Sequence, residues 1–216
     1  MLKNIIFDFG AVLIDWNPHY LYDTYFGDAE KSTWFLNNIC QSEWNAQMDA
    51  GKTFAQGIAE LTQQHPEWTE AIAVYRSRWI EMIGGEIPGM SVLLDDLRAR
   101  ELKLYGLSNW AAETFDEMEG KYDIFKKLDG MVVSGREKVV KPNAEIYHRL
   151  LQRYNLNPSE CVFIDDLEAN IKGGEACGIA GIRFENAEQV RQALFRLLEN
   201  APHNPFSNVK LKDYGG

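Results

Sequence analysis

Five short apolar runs, at residues 4–7, 103–106, 130–133, 161–164 and 181–184, are separated by stretches whose apolar residues recur at helical spacing. This alternation constrains the fold more than any other feature of the chain. A parallel strand needs a crossover to reach its neighbour, and a helix is the usual crossover, so strand–helix repetition predicts one parallel sheet with helices on both faces. Helical patterns at 112–118, 144–154, 168–176 and 188–198 stand where those crossovers are needed, with Pro142 at a first-turn position of the second. The expected fold class is α/β, a doubly wound Rossmann-like parallel sheet.

Between the first run and the second the pattern changes. From about residue 18 to 82 nothing reads as a buried strand, while "STWFLNNI", "FAQGIAELTQQ" and "TEAIAVYRSRWIEMI" carry apolar residues at helical spacing. The reading is an inserted α-helical cap. Its stem falls at residues 15–17 and 84–89, where Gly84-Gly85 and Pro88-Gly89 mark a turn region. The expected organisation is a core of residues 1–16 and 86–200, a helical cap of 17–85, and an irregular tail of 201–216.

Ligands of open parallel sheets lie beyond the carboxyl ends of the strands, so the residues just after each apolar run are candidates for chemistry. They are Asp8 and Gly10 after the first, Ser108 and Asn109 in "GLSNW", Lys141 closing "SGREKVVKP", and Asp165, Asp166 and Asn170 in "FIDDLEAN". Carboxylates, a hydroxyl and an ammonium converging on one crevice suit a phosphoryl group with Mg²⁺, which prefers oxygen ligands. Ser108-Asn109 before "WAAETF" also has the composition of a helix N-cap. Gly173, Gly174 and Gly178 lack dinucleotide-loop spacing and are read as packing positions in the helix after the acidic pair.

The net charge of −10 argues against nucleic-acid and anionic-membrane partners, which require clustered Lys and Arg. Three cysteines, Cys40, Cys161 and Cys177, lack the spacing of a paired zinc motif and are expected as reduced thiols. No basic-then-apolar leader is seen and no apolar run approaches the roughly 18 residues of a membrane span, so a cytoplasmic chain, monomeric or homodimeric, is expected.

In order and spacing, the four strand-end segments resemble the four motifs of the haloacid dehalogenase superfamily, and the early helical insertion is similar to that family's first type of cap. The resemblance spans about residues 4–184. It implies Asp8 as the nucleophile that forms an aspartyl-phosphate, and Ser108 and Asn109 as holders of phosphoryl oxygens through hydroxyl and backbone donors. It implies Lys141 as the cation that neutralises the transferring group. Asp8, the Gly10 carbonyl, Asp165 and Asp166 would serve Mg²⁺, and the substrate would be a small phosphorylated metabolite.

Gly10 departs from the pattern. Members with a second aspartate at this position use its side chain as general acid and base and its carbonyl for the metal, so Gly10 keeps the carbonyl and lacks the acid. Proton transfer of this kind contributes about 10²–10⁴-fold, so a leaving group that needs little protonation is expected, such as that of an anomeric sugar phosphate. Small-sugar phosphatases of the superfamily, α-D-glucose-1-phosphate phosphatase among them, also show Asp-apolar-Gly in the first motif. If another group donates the proton, Asp15 and His19 are the nearest in sequence.

Two alternatives stand beside this reading: a 2-haloacid dehalogenase with Asp8 as nucleophile, and a non-catalytic phosphosugar-binding protein. In the cap, Trp16, His19 and Tyr20 at the stem, and Trp44, Asn45 and Gln47 in an expected polar-aromatic turn, are candidates for specificity, because flat rings and amides suit sugar hydroxyls.

Overall fold

The computed structural model describes residues 1–199. The 201–216 segment expected as a tail, and residue 200 of the expected core, lie outside the described residues. Seven strands are formed among the described residues: β1 (Asn4–Phe7), β2 (Ile14–Trp16), β3 (Ile83–Glu86), β4 (Lys103–Ser108), β5 (Gly130–Val133), β6 (Cys161–Asp165) and β7 (Ala180–Arg183). Five of them make one parallel sheet in the order β5-β4-β1-β6-β7. Strand order therefore reverses between β1 and β6, which places a crevice outside the carboxyl ends of these two strands.

The sheet is buried on both faces, as continuous apolar strands require. Side chains alternate along β1, so Ile5 and Phe7 enter one apolar cluster and Ile6 the other. The first face is covered by α6 (Met90–Arg98), through Met90, Leu93, Leu94 and Leu97, by α7 (Ala112–Met118) and by α11 (Ala187–Glu199). The second is covered by α9 (Ala144–Arg153), through Ile146, Tyr147, Leu150 and Leu151, and by α10 (Glu168–Ala176), while α8 (Ser134–Glu137) is a single turn after β5. The mixed α/β class and the parallel Rossmann-like sheet are as the alternation dictates.

Five helices separate β2 from β3: α1 (His19–Phe26), α2 (Ala29–Asn38), α3 (Ser42–Asp49), α4 (Phe54–Gln64) and α5 (Thr69–Ser77). Asp28 caps α2 by accepting from the amides of Glu30 and Lys31, and Thr53 with Gln56 forms a capping box on α4. Their apolar faces close around Tyr22, whose ring centroid lies 4.9 Å from that of Phe35 and 6.3 Å from that of Tyr75. Its hydroxyl donates to the Ala71 carbonyl at 2.9 Å. These residues belong to the same apolar cluster as the first face of the sheet. No helix among the described residues is long and apolar enough to cross a membrane.

Five local expectations are corrected. The stem is not a turn region but an antiparallel pair, β2 with β3, with Ile14 opposite Glu86 and a bulge between Asp15 and Trp16. The glycines are what permit it: a Cβ at Gly84 would lie 2.4 Å from Asp15 Oδ2, and Gly85 has φ +116°. Trp44, Asn45 and Gln47 stand on α3 rather than in a turn, because Glu43, Ala46 and Met48 complete a helical turn around them. Ser108-Asn109 is not an N-cap, since Ser108 ends β4 and α7 starts four residues later behind Ala111. Asn143, not Pro142, opens α9 by accepting from the Glu145 amide. Gly178 lies past the end of α10, at φ +84°, and the three thiols are free.

Candidate active site

Asp8 follows the last residue of β1, and its amide donates to the Ile164 carbonyl at 2.9 Å, which fixes the end of β1 against β6. Its carboxylate Oδ1 accepts from the Phe9 amide at 2.6 Å and pairs with Lys141 Nζ at 3.0 Å. The Phe9 ring turns the other way, stacked on Phe115 with centroids 5.5 Å apart, so the aromatic residue anchors the strand end while its neighbour faces the crevice. The turn that follows closes on the Phe9 and Ile14 carbonyls, and the Gly10 carbonyl takes no part in those hydrogen bonds. Among the described residues a Cβ at Gly10 would meet nothing within 4 Å, and the left-handed angle of this turn falls on Ala11, φ +59°.

Lys141 is the centre of the site. Its ammonium, with a side chain 0% exposed, donates to Asp165 Oδ2 at 2.6 Å and to the Leu107 carbonyl at 2.9 Å, besides its pair with Asp8. An unpaired ammonium at this depth would be prohibitively costly, so the two carboxylates and the ammonium stabilise one another. Burial alone would lower the Lys141 pKa, but Asp8 and Asp165 hold it above the usual lysine value. Burial raises the Asp8 carboxyl above the usual range against the pull of Lys141, and the charge of Asp165 raises it further. The backbone of Lys141 is held by the Asn109 side chain, which accepts from its amide at 2.8 Å and donates to its carbonyl at 3.0 Å. Asn109 thus positions Lys141 with its side chain, leaving its backbone and the second hydrogen of its Nδ2 to offer a phosphoryl group.

The acidic pair is divided in role. Both oxygens of Asp165 are taken: Oδ1 accepts from the Leu167 amide and Asn170 Nδ2, and Oδ2 from Lys141 and the same Asn170 amide. The Asp166 carboxyl, half-buried, accepts from no other side chain among the described residues, and burial together with the Asp165 charge raises its pKa. One oxygen each from Asp8, Asp165 and Asp166 lie within 4.8 Å of one another. Such a donor set fits a hard divalent cation, and the free valences on Asp166 and the Gly10 carbonyl are where it would be held.

Ser108 Oγ supplies a second mark of a ligand. It is buried beside the Asp8 carboxyl, outside hydrogen-bond geometry, and has no partner among the described residues. A desolvated hydroxyl left unmade costs about 1–3 kcal/mol, and a phosphoryl oxygen at this point would satisfy it.

Over the crevice lie the stem and helices of the segment inserted between β2 and β3, expected from sequence as a cap. The cleft is lined by Gly10, Asn109 and Trp110 from the core side and by Trp16, Asn45, Asp49 and Trp79 from the stem and cap. Of the cap candidates named from sequence, Trp16 and Asn45 therefore reach it. Trp44 is buried inside the cap, its indole donating to the Gly57 carbonyl at 3.1 Å, and Gln47 lines a separate groove with Gln41 and Glu60. His19 pairs with Asp23 at 3.0 Å and Tyr20 with Asp15 at 2.7 Å, both outside the cleft lining. Sequence reasoning missed Asp49, Trp79 and Trp110. Trp79 falls in the helical pattern "TEAIAVYRSRWIEMI" and Trp110 directly after Ser108-Asn109, neither with a signal of its own, and Asp49 is one acid among 32 with no motif around it.

Residues 2–178 match the family described as haloacid dehalogenase-like hydrolase. The chain is 28% identical to a sesquiterpene phosphatase of Aspergillus oryzae over 86% of its own length and 91% of that protein. It is 24% identical to D-ribitol-5-phosphate phosphatase of Bacteroides thetaiotaomicron over 93% and 100% of the two chains. Among solved structures, a HAD family enzyme of Bacteroides thetaiotaomicron in complex with magnesium and inorganic phosphate superimposes with a TM-score of 0.69 at 20% identity, covering 86% of this chain and 95% of that one. The match over most of the chain, on a sheet whose switch point carries Asp8, Lys141 and Asp165, makes this protein a member of the haloacid dehalogenase-like hydrolases.

Proposed function

We propose that the chain is a Mg²⁺-dependent phosphatase of a small phosphorylated metabolite, working through an aspartyl-phosphate on Asp8, with a sugar phosphate such as glucose 1-phosphate as the first substrate to test. The observation that carries this is the Lys141 ammonium fixed between Asp8 and Asp165 beside an unpartnered buried Ser108 hydroxyl. Asp8 attacks phosphorus along the line opposite the leaving oxygen, while Ser108 donates to a phosphoryl oxygen and Lys141 balances the charge that gathers there. Asp8, Asp166 and the Gly10 carbonyl would hold Mg²⁺, which supplies charge neutralisation to the phosphoryl group. Asp165 and Asn109 hold Lys141 in place. The sesquiterpene and ribitol-phosphate phosphatases among its relatives support a phosphorylated small molecule as substrate.

A screen of phosphorylated metabolites with 2-chloropropionate included tests the reading. Phosphate release is expected to vanish in EDTA and to return with added Mg²⁺. Dehalogenation of 2-chloropropionate in chelator would replace the proposal with the metal-free alternative, in which Asp166 has no use. Inorganic phosphate or sugar phosphate bound without turnover would favour the non-catalytic one.

The cleft also predicts how substrate is chosen. The rings of Trp16, Trp79 and Trp110 line it, with Trp79 and Trp110 centroids 5.6 Å apart. Trp16→Ala is expected to lower kcat/KM for the best substrate by about 10-fold or more, and to spare a phosphate ester too small to reach the ring. Equal loss on both would assign Trp16 to the stem's packing.

A further inference from the structure

Position 10 lacks the side chain that would protonate the leaving oxygen, and the two acids nearest in sequence are committed elsewhere. Asp15 accepts from Tyr20 and His19 pairs with Asp23, both away from the cleft lining. One carboxyl group does face the space that Gly10 leaves open: Asp49, at the last turn of α3, on the opposite wall of the same cleft.

Asp49 is held there from three sides. Its own carbonyl accepts from Ser134 Oγ at 2.6 Å, and the same hydroxyl accepts from the Trp110 amide at 2.9 Å, so one buried serine joins the end of α3 to the loop after β4. Its carboxylate Oδ2 accepts from Asn45 Nδ2 at 3.2 Å, and Asn45 Oδ1 in turn accepts from the Tyr75 hydroxyl at 3.0 Å. The Ala111 amide faces the carboxyl from the core side. A surface acid needs no such framework.

Resting on the phosphatase reading, we propose that Asp49 is the general acid and base of the reaction, delivered by the cap in place of the side chain absent at position 10. In the first half, Asp8 forms its bond to phosphorus, the bond from phosphorus to the leaving oxygen breaks, and the Asp49 proton passes to that oxygen to give the free alcohol. In the second, Asp49 carboxylate takes a proton from the water that attacks the aspartyl-phosphate. The bond between phosphorus and Asp8 breaks, and inorganic phosphate leaves with Asp8 ionised and Asp49 protonated as at the start. Burial pushes the Asp49 carboxyl up to about 7, against the pull of the Ala111 amide and Lys141, which suits a group that both gives and takes a proton near neutrality. The restriction to undemanding leaving groups, expected from Gly10 alone, then describes a chain without Asp49.

Asp49→Asn with two aryl phosphates tests this. For phenyl phosphate, whose leaving oxygen needs a proton, kcat/KM is expected to fall by about 10²–10⁴-fold; for 2,4-dinitrophenyl phosphate, whose leaving group needs none, by less than about tenfold. The variant should release one burst of dinitrophenolate per enzyme and accumulate phosphorylated Asp8, seen by mass spectrometry of the intact chain. Two further variants guard against a merely disturbed cap. Asp49→Glu, which keeps the acid on a longer arm, should regain phenyl phosphate turnover over Asp49→Asn, and Gly10→Asp added to Asp49→Asn should do the same from the other wall. Equal losses on both aryl phosphates, with no trapped phosphoenzyme and no rescue, would overturn the role of Asp49. If the unaltered chain forms neither a phosphoenzyme nor a beryllofluoride adduct at Asp8, the phosphatase reading fails first and takes this proposal with it.

Discussion

Asp8→Asn is expected to lower kcat on the order of 10⁴-fold or more, the scale met when a nucleophile is removed and the rest of its site is left standing. The substitution preserves shape and removes charge. The Asn side chain still accepts from the Phe9 amide, and Lys141 keeps Asp165 and the Leu107 carbonyl, so the loss is one of reactivity rather than of fold. Stability should move little or rise, because in metal-free buffer an ionised Asp8 is buried beside Asp165 and Asp166. Measuring phosphate release and thermal melting on the same sample separates the two effects. Retention of more than a few per cent of wild-type turnover would exclude Asp8 as nucleophile.

Lys141→Met carries the second large effect, and here activity and stability fall together. Removing the ammonium leaves Asp8 and Asp165 face to face with no cation between them, at 7% and 0% exposure. Breaking a buried pair in this way costs about 3–5 kcal/mol, because the charges that remain are uncompensated. That corresponds to a fall of about 10 °C in Tm for a chain of this size. If Mg²⁺ binds as proposed, it should recover part of the loss in stability, since the site exists in the folded state and not in the unfolded chain. Activity should not recover with it, because charge balance on the transferring phosphoryl group needs a cation at the Lys141 position. A variant that melts like the wild type in EDTA would show that the ion pairs contribute nothing net.

The sheet was legible because its strands are buried on both faces and so read as unbroken apolar runs, with acids at their ends where the apolar residues stop. Asp8, Asp165 and Asp166 stood out for that reason, and Lys141 through its place in the same ordered set. The stem was not legible, since β2 is three residues long and β3 contains Gly84-Gly85, which in isolation signals a turn. The division of labour between Asp165 and Asp166 was also hidden: it depends on Asn170, a turn into α10, reaching back to both oxygens of Asp165. Cap residues were the hardest to sort. Trp44, Asn45 and Gln47 lie within four residues of one another, but the 100° step of a helix turns Trp44 and Gln47 toward one groove and Asn45 toward the cleft. Asp49, one turn further on from Asn45, shares its face for the same reason.

The antiparallel stem also bears on how the chain reaches this structure. Ile5 on β1 must find Leu104 on β4, its partner across nearly half the sequence, and closing so long a loop is what makes non-local pairing slow. Once Ile14 has paired with Glu86, the excursion through the five cap helices is already tied off, and the segment still to be closed is about a quarter as long. By the logarithmic law of loop closure this lowers the entropic cost of joining β1 to β4 by about 1 kcal/mol. The cap is thus placed to fold ahead of the sheet it interrupts, and substitutions that loosen the stem, such as Gly84→Val, should slow refolding more than they speed unfolding.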